Sequence, residues 1–240
     1  MKAIAIIPAR LDSTRLPQKM LRLISGMPLV GHTYQGVRSS PLLDEVIIAT
    51  DSPEIMQVCH ANGWKAQLTS ASHRSGTERV HEVAKSLQAD VFLNVQGDEA
   101  MTRAEHIADL LRLMADTSIQ VGTLKVAAKP EDISNPNSVK VVTDSWGKAL
   151  YFSRAPIPFD RDGSGESRYY KHLGFYAYRK DSLERFVSLP ESGLERSERL
   201  EQLRLLENGI PIHVAETEYD AVGVDTEEDL RRVEKILRSR

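Results

Sequence analysis

An α/β fold built on a mostly parallel, doubly wound sheet follows from three features of this sequence. Short apolar runs recur along its first half. Stretches of helical periodicity fill the gaps between them, an alternation that parallel sheets require. The runs Val46-Ile47-Ile48 and Val91-Phe92-Leu93 lack polar alternation, as strands covered on both faces do.

In chain order, residues 3–8, 45–50, 65–68, 90–95 and 120–126 read as strands, and residues 29–38, 53–62, 77–87 and 104–115 as the helices between them. Ser52-Pro53 is an N-cap followed by proline at the first helical position, and Asn62-Gly63 is the stop. Beyond about residue 130 the style changes. Strands 138–143 and 148–153 flank Asp144-Ser145-Trp146-Gly147, a hairpin turn. The polar stretch 161–167 is a flexible loop or lid. A strand at 172–178 and a helix at 180–188 follow, then a helix over 195–208 stopped by Gly209. A strand at 212–215 and a helix at 226–239 close the chain. There are no repeats and no low-complexity linker, so the second half is expected on the same sheet.

The 240 residues, 41% hydrophobic and 27% charged, suffice for a sizeable core. A net charge of −3 argues against general binding to nucleic acid or anionic membranes. Cys59 is the only cysteine, which excludes an internal disulfide and a thiolate zinc cluster. No stretch reaches the ~18 apolar residues of a membrane span. Met1-Lys2 leads directly into a strand with no cleavable signal, so the expected address is cytoplasmic.

Against the acidic balance, one loop is basic. Residues 9–19, following the first strand, carry Arg10, Arg15 and Lys19 with the hydroxyls of Ser13 and Thr14 between them. Loops at the carboxyl ends of parallel strands are where such sheets bind ligands, and arginine forks with a lysine point charge suit phosphate oxygens. A solvated basic loop is the plain alternative. Asp98, in Gln96-Gly97-Asp98-Glu99, leaves strand 90–95 at the same sheet edge. It is either a turn residue or a carboxylate for Mg²⁺, which takes one or two carboxylates plus substrate oxygens. Asp225 is open in the same way, because Asp225 or Thr226 caps the last helix with Glu228 or Asp229 completing a box. Arg74-Ser75-Gly76 opens a helix and offers free N–H groups to a base or anion, or is simply a cap. His172 alternates with apolar neighbours as structural histidines do, and Arg154 ends an aromatic strand as a substrate clamp or a surface pair. Glu201 and Gln202 lie near one helix face, where most charges are merely solvated. The dinucleotide, P-loop, zincin and hydrolase-elbow signatures are all absent.

Taken together these segments resemble the 3-deoxy-D-manno-octulosonate (Kdo) cytidylyltransferase family. The matching pieces are IPARLDSTRLPQK, ATD (49–51), HRSGTER (73–79), NVQGDE (94–99), NPNSVKVV (135–142), ALYFSRAPIPFDRD (149–162), HLGFYAY (172–178), LEQLRLLENG (200–209) and GVDTEEDL (223–230). They run in order from residue 4 to residue 230. The resemblance implies a three-layer nucleotidyltransferase-like α/β fold in one domain, with a mixed, mainly parallel sheet. Residues 1–130 would bind nucleotide, 131–215 would bind the sugar and dimerise, and 216–240 would return to the main sheet. It implies transfer of CMP from CTP to Kdo with release of pyrophosphate, for lipopolysaccharide biosynthesis, by a Mg²⁺-dependent homodimer. By resemblance Arg10, Ser13, Arg15 and Lys19 hold the triphosphate, and Arg74, Ser75 and Gly76 lie near the cytosine. Asp98 and Asp225 ligate the metal, with Lys19, Arg10, Asp98 and Asp225 as the catalytic set. Gln96, Arg154, His172, Tyr176, Glu201 and Gln202 surround the sugar acid.

Three departures stand out. Gln18 replaces the family's usual glycine, Ala100 its usual proline, and Gly193-Leu194-Glu195 its Pro-Leu-Glu pattern. None removes a charged group, so they bear on rate and fine specificity. The competing readings are a cytidylyltransferase for another 2-keto acid sugar, an idle nucleotide or sugar sensor, and a nucleotide-sugar glycosyltransferase. Retention of Lys19, Asp98 and Asp225 speaks against the sensor, and the basic first loop against the glycosyltransferase.

Overall fold

The structure is a computed structural model that describes residues 1–13 and 15–238. The strands β1 (Ala3–Ala9), β2 (Glu45–Thr50), β3 (Ala66–Leu68), β4 (Val91–Val95), β5 (Val121–Ala127), β6 (Lys140–Thr143), β7 (Ala149–Ser153), β8 (Tyr170–Tyr178) and β9 (His213–Glu216) form one nine-stranded sheet. Its main path runs β9-β5-β8-β4-β1-β2-β3, with β6 joined to β8 and β7 joined to β6. β1 is parallel to β2 and β4, and β2 to β3, which is the parallel half expected from the apolar runs.

The other half is rearranged by a long-range insertion. β8 enters between β4 and β5 and runs antiparallel to both, so these consecutive strands do not pair. β9 then adds parallel to β5. The late segments thus complete the same sheet and carry their side chains toward the edge where β1 and β4 end.

The helices are α1 (Leu29–Arg38), α2 (Pro53–Ala61), α3 (Gly76–Lys85), α4 (Ala104–Leu113), α5 (Pro130–Ile133), α6 (Lys180–Ser188), α7 (Gly193–Glu198), α8 (Leu203–Glu207) and α9 (Glu227–Arg238). α1 and α6 match their sequence patterns to the residue. The Ser52 hydroxyl accepts Ile55 N–H, so the expected cap of α2 forms with Pro53 at its first position. The continuous helix expected over 195–208 is instead two pieces. Arg199 takes a left-handed conformation (φ 55°) and ends α7, and Leu200 N–H returns to Glu195 C=O. The carboxylate of Glu195 bridges the break to Arg204 at 2.5 and 2.8 Å, compensating for the lost helical bonds. The expectation that the closing helix reaches Ser239 falls, at that residue, outside the described positions.

Two apolar clusters fill the faces of the sheet. One centres on Ile7, Val95, Leu110 and Phe175, the other on Ile6, Phe92, Phe152 and Tyr178. A third, smaller cluster lies beneath the site. Leu16 from the basic loop, Ala100 and Met101 from the Asp98 loop, Val224 beside Asp225, and Leu230 and Val233 of α9 pack together with Ile24 and Leu29. Burying each of these larger side chains stabilises the fold by about 1.5–3 kcal/mol. This cluster joins three loops that are remote in sequence.

Candidate active site

The basic loop begins where β1 ends, as expected. It closes through Gln18, whose left-handed backbone (φ 52°) is the conformation that glycine adopts most easily. That turn opens a single helical turn, Lys19–Leu21, which fixes the Lys19 backbone and sends its side chain inward. Lys19 Nζ lies 2.5 Å from Asp98 Oδ2 and 2.9 Å from Asp225 Oδ1. The exposed Arg15 guanidinium meets the other Asp225 oxygen at 2.9 Å. Thr14, the second hydroxyl of this loop, lies outside the described residues.

Each carboxylate has a structural cause for its position. Asp98 leaves the end of β4, and Val224 N–H donates to its carbonyl at 3.1 Å, docking the Asp225 segment alongside it. The helix-start reading of Asp225 resolves in favour of its neighbours. Thr226 Oγ1 accepts Asp229 N–H, and Asp229 Oδ2 accepts the N–H groups of both Asp225 and Thr226. Thr226 and Asp229 make the box, leaving the Asp225 carboxylate free to face Lys19.

The charges are mutually adjusted. Burial disfavours the Lys19 ammonium, but Asp98 and Asp225 outweigh it and hold its pKa above the ordinary value. Burial likewise disfavours ionised Asp225, and Lys19 with Arg15 outweighs that, so its pKa is lowered. Glu99, next in the chain, is different. Burial, and then the charge of Asp98, push its carboxyl up to about 8, and its Oε2 has no hydrogen-bond partner among the described residues.

Beside these groups opens a cavity of about 240 Å³. Arg10, Ser13, Arg15, Lys19, Arg74, Ser75, Gly76, Gln96, Asp98, Glu201 and Asp225 all line it. Ser75 caps α3 through Glu78 N–H, and Glu78 in turn accepts Arg74 N–H, so the helix start holds the 74–76 loop. The polar wall is continuous. Gln96 Nε2 donates to Asn94 Oδ1, Asn94 Nδ2 to Thr77 Oγ1, and Thr77 Oγ1 to Glu201 Oε2 at 2.9 Å. Burial raises the pKa of Glu201 even though Thr77 and Ser75 bond it.

Arg154, His172, Tyr176 and Gln202 do not line this cavity. Arg154 is wrapped around the α7 break, with Nε donating to Glu198 C=O, Nη1 to Pro136 C=O and Nη2 to Arg199 C=O. His172 pairs with Thr123 Oγ1 at 2.9 Å and packs against Phe152 and Tyr176. Burial alone drives its pKa down to about 3, keeping the ring neutral. Gln202 is buried, and its Nε2 has no hydrogen-bond partner among the described residues.

Other lining residues were not singled out by the sequence. His73 is held by Glu82, and Arg79, only 3% exposed, pairs with Asp51 Oδ2 at 2.6 Å and donates to Thr69. Losing either partner of such a buried pair costs about 3–5 kcal/mol. The one local clue is a charge one turn before the apolar Val83 of α3. Asp12, Pro8 and Met20 complete the lining.

The two aspartates suit a hard divalent cation. Both already converge on one ammonium nitrogen, so they face each other across the span of a single ion. Among the described residues no three His, Cys, Asp or Glu side chains gather into a metal site, so any such ion would draw its remaining ligands from substrate and water.

A mixed α/β sheet that sets a cationic loop against paired carboxylates defines a nucleotidyltransferase type of site, and the chain belongs to the cytidylyltransferase family, whose model matches residues 4–217. It is 62% identical to the 3-deoxy-manno-octulosonate cytidylyltransferase of Koribacter versatilis (strain Ellin345), over all of this chain and 91% of that protein. It is 52% identical to the protein of the same name from Acidobacterium capsulatum, over 100% and 98% of the two chains. A solved structure of CMP:2-keto-3-deoxy-manno-octonic acid synthetase complexed with CTP superposes with a TM-score of 0.94 at 42% identity, covering 100% of this chain and 99% of that one. A cytidylyltransferase from Leptospira borgpetersenii, 15% identical with a TM-score of 0.65, shares the fold.

Proposed function

We propose that the chain transfers CMP from CTP to Kdo and releases pyrophosphate, supplying an activated sugar for lipopolysaccharide assembly. The observation that carries this reading is Lys19 between Asp98 and Asp225, in a cavity also lined by Arg10, Arg15 and Arg74. Full-length identity of 62% to a protein named for that reaction supports the choice of sugar.

In this reaction the sugar's anomeric hydroxyl attacks the α-phosphorus and pyrophosphate leaves on the opposite side. The oxygen–phosphorus bond to the sugar forms as the bond to the β-phosphate breaks, and the hydroxyl proton is lost. Catalysis is then mainly positioning and charge neutralisation. Arg10, Ser13, Arg15 and Lys19 bind the triphosphate, and Lys19 and Arg10 absorb charge that develops on its oxygens. Arg74, Ser75 and Gly76 frame the base. Gln96 and Glu201, on the shared polar wall, serve the sugar acid directly, whereas Arg154, His172, Tyr176 and Gln202 are assigned to the sugar side by resemblance and do not line this cavity. Asp98 and Asp225 would hold Mg²⁺, which would supply Lewis-acid charge to the reacting oxygens.

The working unit is one domain, with residues 1–130 on nucleotide, 131–215 on sugar and dimerisation, and 216–240 returning to the sheet. The chain acts as a homodimer. Trp146, Leu150 and Phe159 are 81%, 62% and 83% exposed, and β7 pairs only with β6 among the described residues. No helix of the described residues is long and apolar enough to cross a membrane, and a CTP-consuming reaction belongs in the cytoplasm.

Pyrophosphate release from CTP and Mg²⁺ across a panel of 2-keto acid sugars tests the reading. Release with Kdo, lost in Asp98→Ala, is expected. Release only with a sialic acid would overturn the sugar, and wild-type rates in Asp98→Ala would overturn the metal assignment.

A further inference from the structure

The ammonium of Lys19 stands where a cation shared by Asp98 and Asp225 would stand. Its nitrogen is 2.5 Å from one carboxylate and 2.9 Å from the other, and its side chain is only 10% exposed. Asp225 is further neutralised by Arg15 at 2.9 Å. Two carboxylates are therefore balanced by two cations of the chain itself. A free divalent ion entering between Asp98 and Asp225 would meet two positive groups already paired with those carboxylates.

We propose that Lys19 is an exchangeable internal counter-ion that keeps a divalent cation off Asp98 and Asp225 until a nucleotide triphosphate draws its ammonium away. This rests on the cytidylyl-transfer reading above and adds an order to it. The backbone of Lys19 is anchored, with Leu21 N–H bonded to Gln18 C=O at 2.8 Å and Arg22 N–H to Lys19 C=O at 3.2 Å. Exchange therefore needs only the four-carbon stem to swing, and an ammonium carries three freely rotating donors. The alternative partner is close, because Arg10, Ser13 and Arg15 line the same cavity as both aspartates. When phosphate oxygens take Lys19 and Arg15, both carboxylates lose their counter-ions together. The site then regains negative charge and gains phosphate ligands in the same event.

Two carboxylates with no third acidic or imidazole ligand among the described residues make a weak cation site on their own. With Lys19 between them they make a weaker one. Linkage requires the effect to be mutual, so cation and nucleotide raise each other's affinity by the same factor. In this scheme Lys19 stabilises the carboxylate pair before substrate arrives and the triphosphate afterwards.

Mn²⁺ titrated into the nucleotide-free full chain, with free ion read by electron paramagnetic resonance, tests the proposal without any turnover. Lys19→Met keeps the length of the stem and removes the charge. It is expected to bind Mn²⁺ about tenfold more tightly than the wild type, and Lys19→Met/Asp98→Asn is expected to lose that gain. Mn²⁺ affinity in Lys19→Met no higher than in the wild type overturns the proposal. If circular dichroism shows Lys19→Met to be unfolded, Arg15→Gln decides, since Arg15 is 58% exposed and its loss is expected to tighten Mn²⁺ binding about threefold. Unchanged affinity there overturns the proposal. Pyrophosphate release by the wild type separates the two readings. Release with no tightening in either variant removes the counter-ion role and leaves the function, whereas tightening without release supports the counter-ion role and removes the function.

Discussion

Gly97 sits between Gln96 and Asp98, where the end of β4 passes close to the end of β1. A Cβ added there would lie 2.9 Å from the Pro8 carbonyl oxygen and 3.0 Å from Met20 Sδ. Ordinary carbon–oxygen contacts are about 3.3–3.6 Å, so Gly97→Ala forces the loop and the Pro8 backbone apart by a few tenths of an ångström. Thr33 Oγ1 also donates to Gly97 C=O at 2.9 Å, so the loop has little freedom to yield. Overpacking of this kind costs about 1–3 kcal/mol, which in a chain of this size lowers Tm by about 3–10 °C. The displaced residue next in the chain is Asp98, so the rate of pyrophosphate release should fall about tenfold, a part of the ~10²-fold that a full 1 Å misplacement causes. Thermal unfolding and initial-rate assays on the same preparation measure both. Gly63→Ala is the control. Nothing lies within 4 Å of its added Cβ, although its φ of +67° adds strain, so Tm should fall slightly with no change in rate. A wild-type Tm and rate in Gly97→Ala would refute the argument that close backbone approach places Asp98.

Two further predictions concern the sugar side. His172 has a folded pKa of about 3 against an ordinary 6.5, so its contribution to stability is present above pH 6.5 and is lost as pH falls toward 3. Between pH 6.5 and 5 that amounts to about 2 kcal/mol, so urea unfolding should show His172→Gln losing less stability than the wild type over this interval. Equal losses would mean that the ring is not held neutral. Thr77→Val removes the donor to Glu201 Oε2 and the acceptor of Asn94 Nδ2. It should cost about 1–3 kcal/mol and raise the KM for the sugar acid, whereas an unchanged KM would detach this wall from sugar binding.

Much of this architecture is written in local pattern. The apolar runs of β1, β2 and β4 and the cap of α2 specify their elements within a few neighbouring residues, because a strand or helix is decided mostly by its own periodicity and ends. The break at Arg199 is not local in that sense. Residues 195–208 carry a serviceable helical pattern, yet the Glu195–Arg204 pair and the packing of Leu200 and Leu203 into the core favour two short helices. The insertion of β8 between β4 and β5 is a choice of pairing partner among strands of similar composition, which periodicity leaves open. Arg79 and Asp51 look like ordinary surface charges until the fold brings them together.

The site divides along the same line. Its ingredients, a cationic loop after the first strand and single aspartates at 98 and 225, are visible in the chain as residue types at strand and helix ends. Their resemblance to a known family also connected them in advance. What only the tertiary structure decided is that Lys19 bridges carboxylates 79 and 206 residues away, that Thr226 and Asp229 relieve Asp225 of capping, and that Arg154 is engaged by backbone carbonyls rather than lining the cavity. The physical reason is range. Propensity and capping act within a turn or two, whereas which charges neutralise one another depends on loops converging over a shared apolar cluster, here that of Leu16, Met101, Val224 and Val233.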